Sequence, residues 1–379
     1  MRWPLMDTAI TDGDKKCLID FINSTDKYTC GPKVKEFEDA WSEWLGCKHS
    51  LYVTSGSTAN LLLMASIKEK YAIPNGSKVL VPACTWVTNV SPVFQVGLEP
   101  IFCDVDLERY SFNLDTLPEE DIRIVFITHL LGLNSPVEKL KKKYPNAIFI
   151  EDICESHGVK APNGMKRGST GLGGTFSFYY GHHMTTIEGG MISTDNKELY
   201  ELMKIKRSHG MARLLSPDLY KIAIQHHPNI DPSFLFLTDG YNFRNTELNA
   251  ALGLEQLKRL DANIESRRKN FECFMKHLNP EHFYLPYNDP GNSSFALPFI
   301  CKRKEDMLKL KTIFDELQIE YRPIVSGNLL LHPFLKKWKD SVAVPNATII
   351  NDNGVYIGNS QFVTEDMIVK VFDAIKTKW

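Results

Sequence analysis

The sequence predicts an α/β fold on a mainly parallel β-sheet, followed by a smaller α+β unit. Three observations lead there. From Ser50 to about Glu188, short apolar runs of strand length alternate with stretches of helical periodicity, the mark of strands joined by helical crossovers. The longest helical pattern, Asn245 to about His277, comes next, with Ala250, Gly253, Leu257, Leu260, Ile264, Phe271, Phe274 and Leu278 stepping by three, four or seven. Beyond Asn279 the order becomes strand, helix, strand, helix.

In chain order, the apolar run Leu51 to Thr54 reads as a strand that ends in small polar residues, and these open a helix over Thr58 to Lys68. Short apolar runs at Lys78 to Val81, Pro100 to Asp104 and Arg123 to Thr128 read as strands, and Pro136 to Lys143 as a short helix. Ala147 to Asp152, Gly174 to Tyr179 and Gly190 to Ser193 close the strand series. The stretch from Met211 to Thr238 reads as a loop, long enough for a functional cover. The long helical pattern links a large domain, residues 1–255, to a small one, residues 256–379. The small domain holds strands at Phe295 to Ile300 and Glu320 to Ile324, with helices at Glu305 to Leu317 and Thr364 to Lys376.

Over 379 residues, 44 basic side chains nearly balance 46 acidic ones. No general field favours nucleic acid or an anionic membrane, so any anionic ligand is held locally. Met1 to Ile10 has neither a basic nor an apolar leader segment, and no stretch is apolar enough to span a bilayer; a cytoplasmic protein is expected. The eight cysteines are scattered without a C-x-x-C pair, which reads as reduced thiols without a metal site.

Three segments carry possible chemistry. Ser55-Gly56-Ser57-Thr58-Ala59-Asn60 opens a helix after a strand; such a start either binds a phosphate or is an ordinary N-cap. Asp152, in Glu151-Asp152-Ile153-Cys154-Glu155-Ser156, falls at a strand end where ligands gather. There it either meets a protonated heterocyclic nitrogen or is held by backbone donors or an arginine. The third segment is Ser177-Phe178-Tyr179-Tyr180-Gly181-His182-His183-Met184-Thr185-Thr186-Ile187-Glu188-Gly189-Gly190.

A small-residue helix start, an Asp at a strand end and an S-F-…-T-T-x-E-G-G run, in that order, resemble the sugar aminotransferase family. The resemblance extends from about Pro4 to the C-terminus. It implies the aspartate aminotransferase (type I pyridoxal phosphate) fold with a mainly parallel seven-stranded sheet, and pyridoxal 5'-phosphate (PLP) or pyridoxamine 5'-phosphate (PMP) as cofactor. Six residues before the Glu of E-G-G the family carries a lysine that binds the cofactor as a Schiff base; here that position is His182. An imidazole cannot form that iminium. With histidine the run resembles the branch of dehydratases that make 3,6-dideoxysugars, in particular its GDP-sugar members. A CDP-sugar branch also carries histidine, but its clustered cysteines are lacking here.

The resemblance implies removal of the C3 hydroxyl from a nucleotide-linked 4-keto-6-deoxysugar, with L-glutamate restoring PMP. His182 becomes the proton carrier, with His183 as rival. Asp152 faces the cofactor's ring nitrogen, Trp86 stacks on the ring, and Glu155 lies near the ring hydroxyl. Ser55, Gly56, Ser57 and Ser177 hold the phosphate. His209, Arg244 and Arg322 become candidates for the carboxylates of glutamate, and Asn242 resembles a residue supplied by the neighbouring subunit of a homodimer with a shared active site. Arg207 and Arg213 either meet the nucleotide diphosphate or lie on solvated surface, and His226-His227 reads as loop rather than metal site. A nucleotide-sugar aminotransferase using another lysine, or a silent nucleotide-sugar-binding homologue, remain as alternatives.

Overall fold

The computed structural model describes residues 2–6 and 10–379; part of the Met1 to Ile10 stretch considered for a leader lies outside the described residues. Seven strands, β1 (His49–Val53), β2 (Lys78–Pro82), β3 (Glu99–Cys103), β4 (Ile124–Thr128), β5 (Ile148–Asp152), β6 (Gly173–Ser177) and β7 (Gly190–Thr194), form one sheet in the order β1-β7-β6-β5-β4-β2-β3. Neighbours from β3 to β6 are parallel, while β7 runs antiparallel to both β6 and β1. The central strands β4 and β6 are buried along their whole length, as expected where helices cover both faces. The helix Gly56–Lys70 is one such cover, burying Ala59, Leu62, Leu63, Met64 and Ile67.

The C-terminal part carries β8 (Phe283–Tyr284), β9 (Ala296–Cys301), β10 (Tyr321–Pro323) and β11 (Gly354–Gly358), an antiparallel sheet in the order β10-β11-β9-β8. The strands and helices expected on both sides of the long helical pattern therefore form within one or two residues of their predicted ends. β11 was not anticipated as a strand: Val355, Tyr356 and Ile357 are framed by Gly354 and Gly358, and so short a run carries little periodicity. Two N-terminal helices, Asp12–Ser24 and Pro32–Leu45, precede the large sheet. The first starts at a reciprocal Thr11/Asp14 capping box, and the second has proline in its first turn and ends at Gly46, φ +83°.

Two expectations need correction. The long helical pattern is two helices, Glu247–Leu257 and Leu260–His277. The backbone leaves the helical region at Arg259 (φ −115°, ψ 4°), whose guanidinium pairs with the fully buried Asp14. The predicted domain boundary at 255/256 thus falls in the last turn of the first of these helices. Likewise, the stretch Met211 to Thr238 is not only loop, because Pro217–His226 is helical. Proline in its first turn starts that helix, and only Ala223 is buried, so its periodicity is faint. Among the described residues, no helix is long and apolar enough to cross a membrane.

Candidate active site

The C-terminal ends of β1, β2, β4, β5 and β6 point toward a cavity of about 380 Å³, within the range of small-ligand sites. It is lined by Ser55, Gly56, Ser57, Trp86, Asp152, Glu155, Ser177 and His182, so eight predicted residues from distant segments meet in one place. No lysine lines it among the described residues.

Ser55 and Thr58 cap the helix Gly56–Lys70 reciprocally: Ser55 Oγ accepts from Thr58 N (3.1 Å), and Thr58 Oγ1 from Ser55 N (3.0 Å). The N-cap reading of this segment is correct, and it coexists with a location on the cavity wall. A Cβ at Gly56 would lie 2.7 Å from Ser177 Cβ and 2.8 Å from Cys154 Sγ. Only glycine lets this first turn, with its free N–H groups, close against the end of β6.

Asp152 ends β5 and is 4 % exposed. Its Oδ2 accepts from Asn60 Nδ2 (2.8 Å) and Asn89 Nδ2 (2.9 Å), and its Oδ1 from Cys154 N (2.8 Å). The asparagines are oriented in turn: Thr175 Oγ1 donates to Asn60 Oδ1 (2.6 Å) and Thr85 Oγ1 to Asn89 Oδ1 (2.9 Å). The carboxylate is thus fixed by amides, and no arginine or lysine among the described residues is bonded to it. Trp86 is 52 % exposed and on the cavity wall, which excludes the core-aromatic alternative. Glu155 Oε2 accepts from Leu131 N (2.9 Å). Burial pushes its carboxyl up to about 7, against the pull of that hydrogen bond and with the Asp152 charge adding to the rise.

The loop between β6 and β7 carries both histidines, and the structure separates them. His183 is 1 % exposed, bonds Ser293 O through Nε2 (3.1 Å) and is not part of the cavity wall. His182 lines the cavity, with its ring 5.6 Å from that of Phe295 and 6.3 Å, edge-on, from that of Tyr179. Its Nδ1 is buried without a partner. Burial, reinforced by the positive charge of Arg267, pushes the imidazole down to about 3, so it is neutral near pH 7.

The remaining predicted residues lie elsewhere. His209, Asn242 and Arg244 share one exposed surface: His209 N donates to Tyr241 O (2.7 Å) and Arg244 Nε to Asn242 Oδ1 (3.0 Å). Arg322 is exposed on β10, and its charge acts on Tyr356, a cavity residue of β11. Arg207 matches neither of its expected settings. It is buried, with Nη1 bonded to Glu38 Oε1 and Tyr52 O, both at 2.7 Å, and is a structural ion pair. Arg213 is exposed. All eight cysteines are free, and no cluster that could hold a metal occurs among the described residues. Sequence reasoning missed Asn60, Asn89 and Tyr356; Asn60 lies inside a segment already singled out, whereas nothing local marks Asn89.

These residues fit pyridoxal phosphate: a helix start cradled by Gly56 for an anion, an exposed indole for a flat ring, and a fixed carboxylate for a protonated ring nitrogen.

The comparisons with known proteins agree. GDP-4-keto-6-deoxy-D-mannose 3-dehydratase of Yersinia pseudotuberculosis is 35% identical over 393 residues, covering 99% of this chain and 98% of that protein. A crystal structure of a mutant GDP-4-keto-6-deoxymannose-3-dehydratase with bound GDP-perosamine superposes with a TM-score of 0.92 at 32% identity, covering 99% of this chain and 100% of the other. Another, of the same enzyme with a trapped PLP-glutamate geminal diamine, gives 0.87 at 30% identity, again covering 99% and 100%. Residues 10–376 match the model of one family, so the chain belongs to the DegT/DnrJ/EryC1/StrS aminotransferase family.

Proposed function

We propose that the chain is a PLP/PMP-dependent hydro-lyase that removes the C3 hydroxyl of a nucleotide-linked 4-keto-6-deoxysugar, converting GDP-4-keto-6-deoxymannose to GDP-4-keto-3,6-dideoxymannose. One observation carries this reading: the cavity wall has an imidazole, His182, and no lysine. That favours dehydration over a lysine-based transaminase cycle, and the fixed Asp152 and open Trp86 favour a working site over a silent one. The relatives at 30–35% identity over nearly the whole chain support the same reaction.

The cofactor, when bound, supplies an amine for the C4 ketone and an electron sink that lets the C3 oxygen depart. Ser55, Gly56, Ser57 and Ser177 hold its phosphate, Trp86 covers its ring, Asp152 keeps a proton on its ring nitrogen, and Glu155 serves its ring hydroxyl. With Nδ1 of His182 inside the protein, Nε2 is left to take a proton at the reacting carbon and deliver it to the C3 oxygen. The deoxygenated product then loses ammonia, and L-glutamate restores the amine with release of 2-oxoglutarate.

His209, Arg244 and Arg322 are proposed to bind the carboxylates of glutamate, and Asn242 to reach the phosphate of a second subunit. The exposure of His209, Asn242 and Arg244 outside this chain's cavity supports a homodimer with a shared site. So does the neighbouring apolar surface of Leu219, Ile222, Phe234 and Phe236, with Phe234 63 % exposed. The test is incubation with PLP, glutamate and a panel of nucleotide-linked 4-ketosugars. A product lighter by one oxygen with free ammonia is expected; nitrogen retained at C4, or a lysine peptide trapped by borohydride, overturns the reading.

A further inference from the structure

The two oxygens of Asp152 are held unequally. A carboxylate offers about four lone-pair sites. Oδ2 has both of its own filled by the amides of Asn60 and Asn89, whereas Oδ1 accepts one N–H, from Cys154. Among the described residues no other N–H or O–H is bonded to this carboxylate; the neighbouring Cys154 thiol, which burial and the Asp152 charge keep protonated, is a weak donor. The site left for a stronger donor is therefore on Oδ1.

The sheet register holds both amides in the donating orientation. Thr128 on β4 and Thr175 on β6 are the partners of Asp152 on its two neighbouring strands, so the three side chains share one face. On one side Thr175 Oγ1 donates to Asn60 Oδ1 (2.6 Å). On the other, Thr85 Oγ1 gives its only proton to Asn89 Oδ1 (2.9 Å), so Thr128 Oγ1 is the donor in its 2.8 Å contact with Thr85. Asn60, Asn89, Thr85 and Thr175 are fully buried. Turning either amide would set its oxygen against the carboxylate and break a buried bond, which is costly. The two asparagines also come from the elements that carry the other proposed cofactor contacts. Asn60 lies about one turn after Gly56 in the helix Gly56–Lys70, and Asn89 ends the short turn Val87–Asn89 that follows Trp86. Asn60 Nδ2 further reaches Thr88 O (3.2 Å) in that turn.

We propose that Asn60 and Asn89 are positioning residues of the reaction: by filling Oδ2 they turn the open site of Oδ1 toward the cofactor's ring nitrogen, at a fixed place relative to the phosphate and indole contacts. The inference rests on the reading of Asp152 as partner of that nitrogen. A carboxylate free to swing holds the proton of the ring nitrogen less well, and the cofactor then draws electrons less strongly.

The test binds PLP labelled with ¹⁵N in its ring, at saturation, to the full-length protein. Its ¹⁵N signal is compared with free PLP in acid and in alkali, the protonated and neutral references. The wild type is expected at the protonated reference. In Asn60→Leu and Asn89→Leu, similar in size but without the donor, the signal moves toward the neutral reference. PLP titrated by absorbance binds about tenfold more weakly to each, as for loss of one hydrogen bond to a charged group. Merely structural asparagines lower Tm without moving the signal, so a signal unmoved in either variant overturns the proposal. If neither variant folds, Thr175→Val and Thr175→Ser decide. The first frees the Asn60 amide and should move the signal, and the second keeps the hydroxyl and should not; equal signals overturn the proposal. Failure of the Asp152 reading shows separately, as a wild-type signal already at the neutral reference and unchanged in Asp152→Asn, and it overturns both.

Discussion

At the scale of single residues, the structure gives the two adjacent histidines different surroundings. His183 is bound to a backbone carbonyl, whereas His182 faces the cavity. Replacing His182 with Asn is expected to lower kcat by about 10²–10⁴, the range for loss of a general acid–base group, while absorbance shows an unchanged PLP content. Glu155 makes a pH prediction. Its carboxyl rises in the folded protein from the usual 4.5 to about 7, so its stabilising protonated form is fully present below 4.5 and lost as pH climbs through 7. Between those limits the Tm of the cofactor-free wild type should fall relative to Glu155→Gln by roughly a few degrees; parallel Tm curves refute it. His182, Asp152 and Glu155, which meet at one cavity, could be singled out in the sequence because motifs surround them. It could not show that Asn60 and Asn89 grip Asp152, since that contact joins residues 92 and 63 positions apart.

At the scale of elements, the helix Gly56–Lys70 closes against the end of β6 at Gly56, where the proposed phosphate site lies. Gly56→Ala forces its methyl into Ser177 and Cys154, which should cost about 1–3 kcal/mol as overpacking and weaken PLP binding about tenfold or more; titration of PLP absorbance measures this. Strand positions in the large sheet were legible because buried parallel strands are written as apolar runs. The break between Leu257 and Leu260 was not, because the same three-to-four spacing continues across it and the cause, Asp14 against Arg259, comes from the far end of the chain. The helix Pro217–His226 was hidden because it buries so little.

At the scale of the whole molecule, every predicted strand is present and in the predicted order, although β8, β11 and the helix Pro345–Asn353 were not foreseen, and sequence motifs separated by more than a hundred residues converge because strand ends converge. The proposal that subunits share their sites comes from the sequence only by resemblance. A composite site makes a clear prediction. His182→Asn and Arg244→Ala, each inactive alone, should regain about a quarter of wild-type turnover after unfolding and refolding together, because half the dimers formed are mixed and each mixed dimer holds one intact site; no recovery argues that every site is built from one chain. The bond from His183 to Ser293 has a further consequence. It secures the main chain on which the neighbouring side chain rides, whoever the occupant is. An ancestor could therefore exchange amine for imidazole there without rebuilding its scaffold, and a lineage that decorates sugars with nitrogen could turn to stripping them of oxygen.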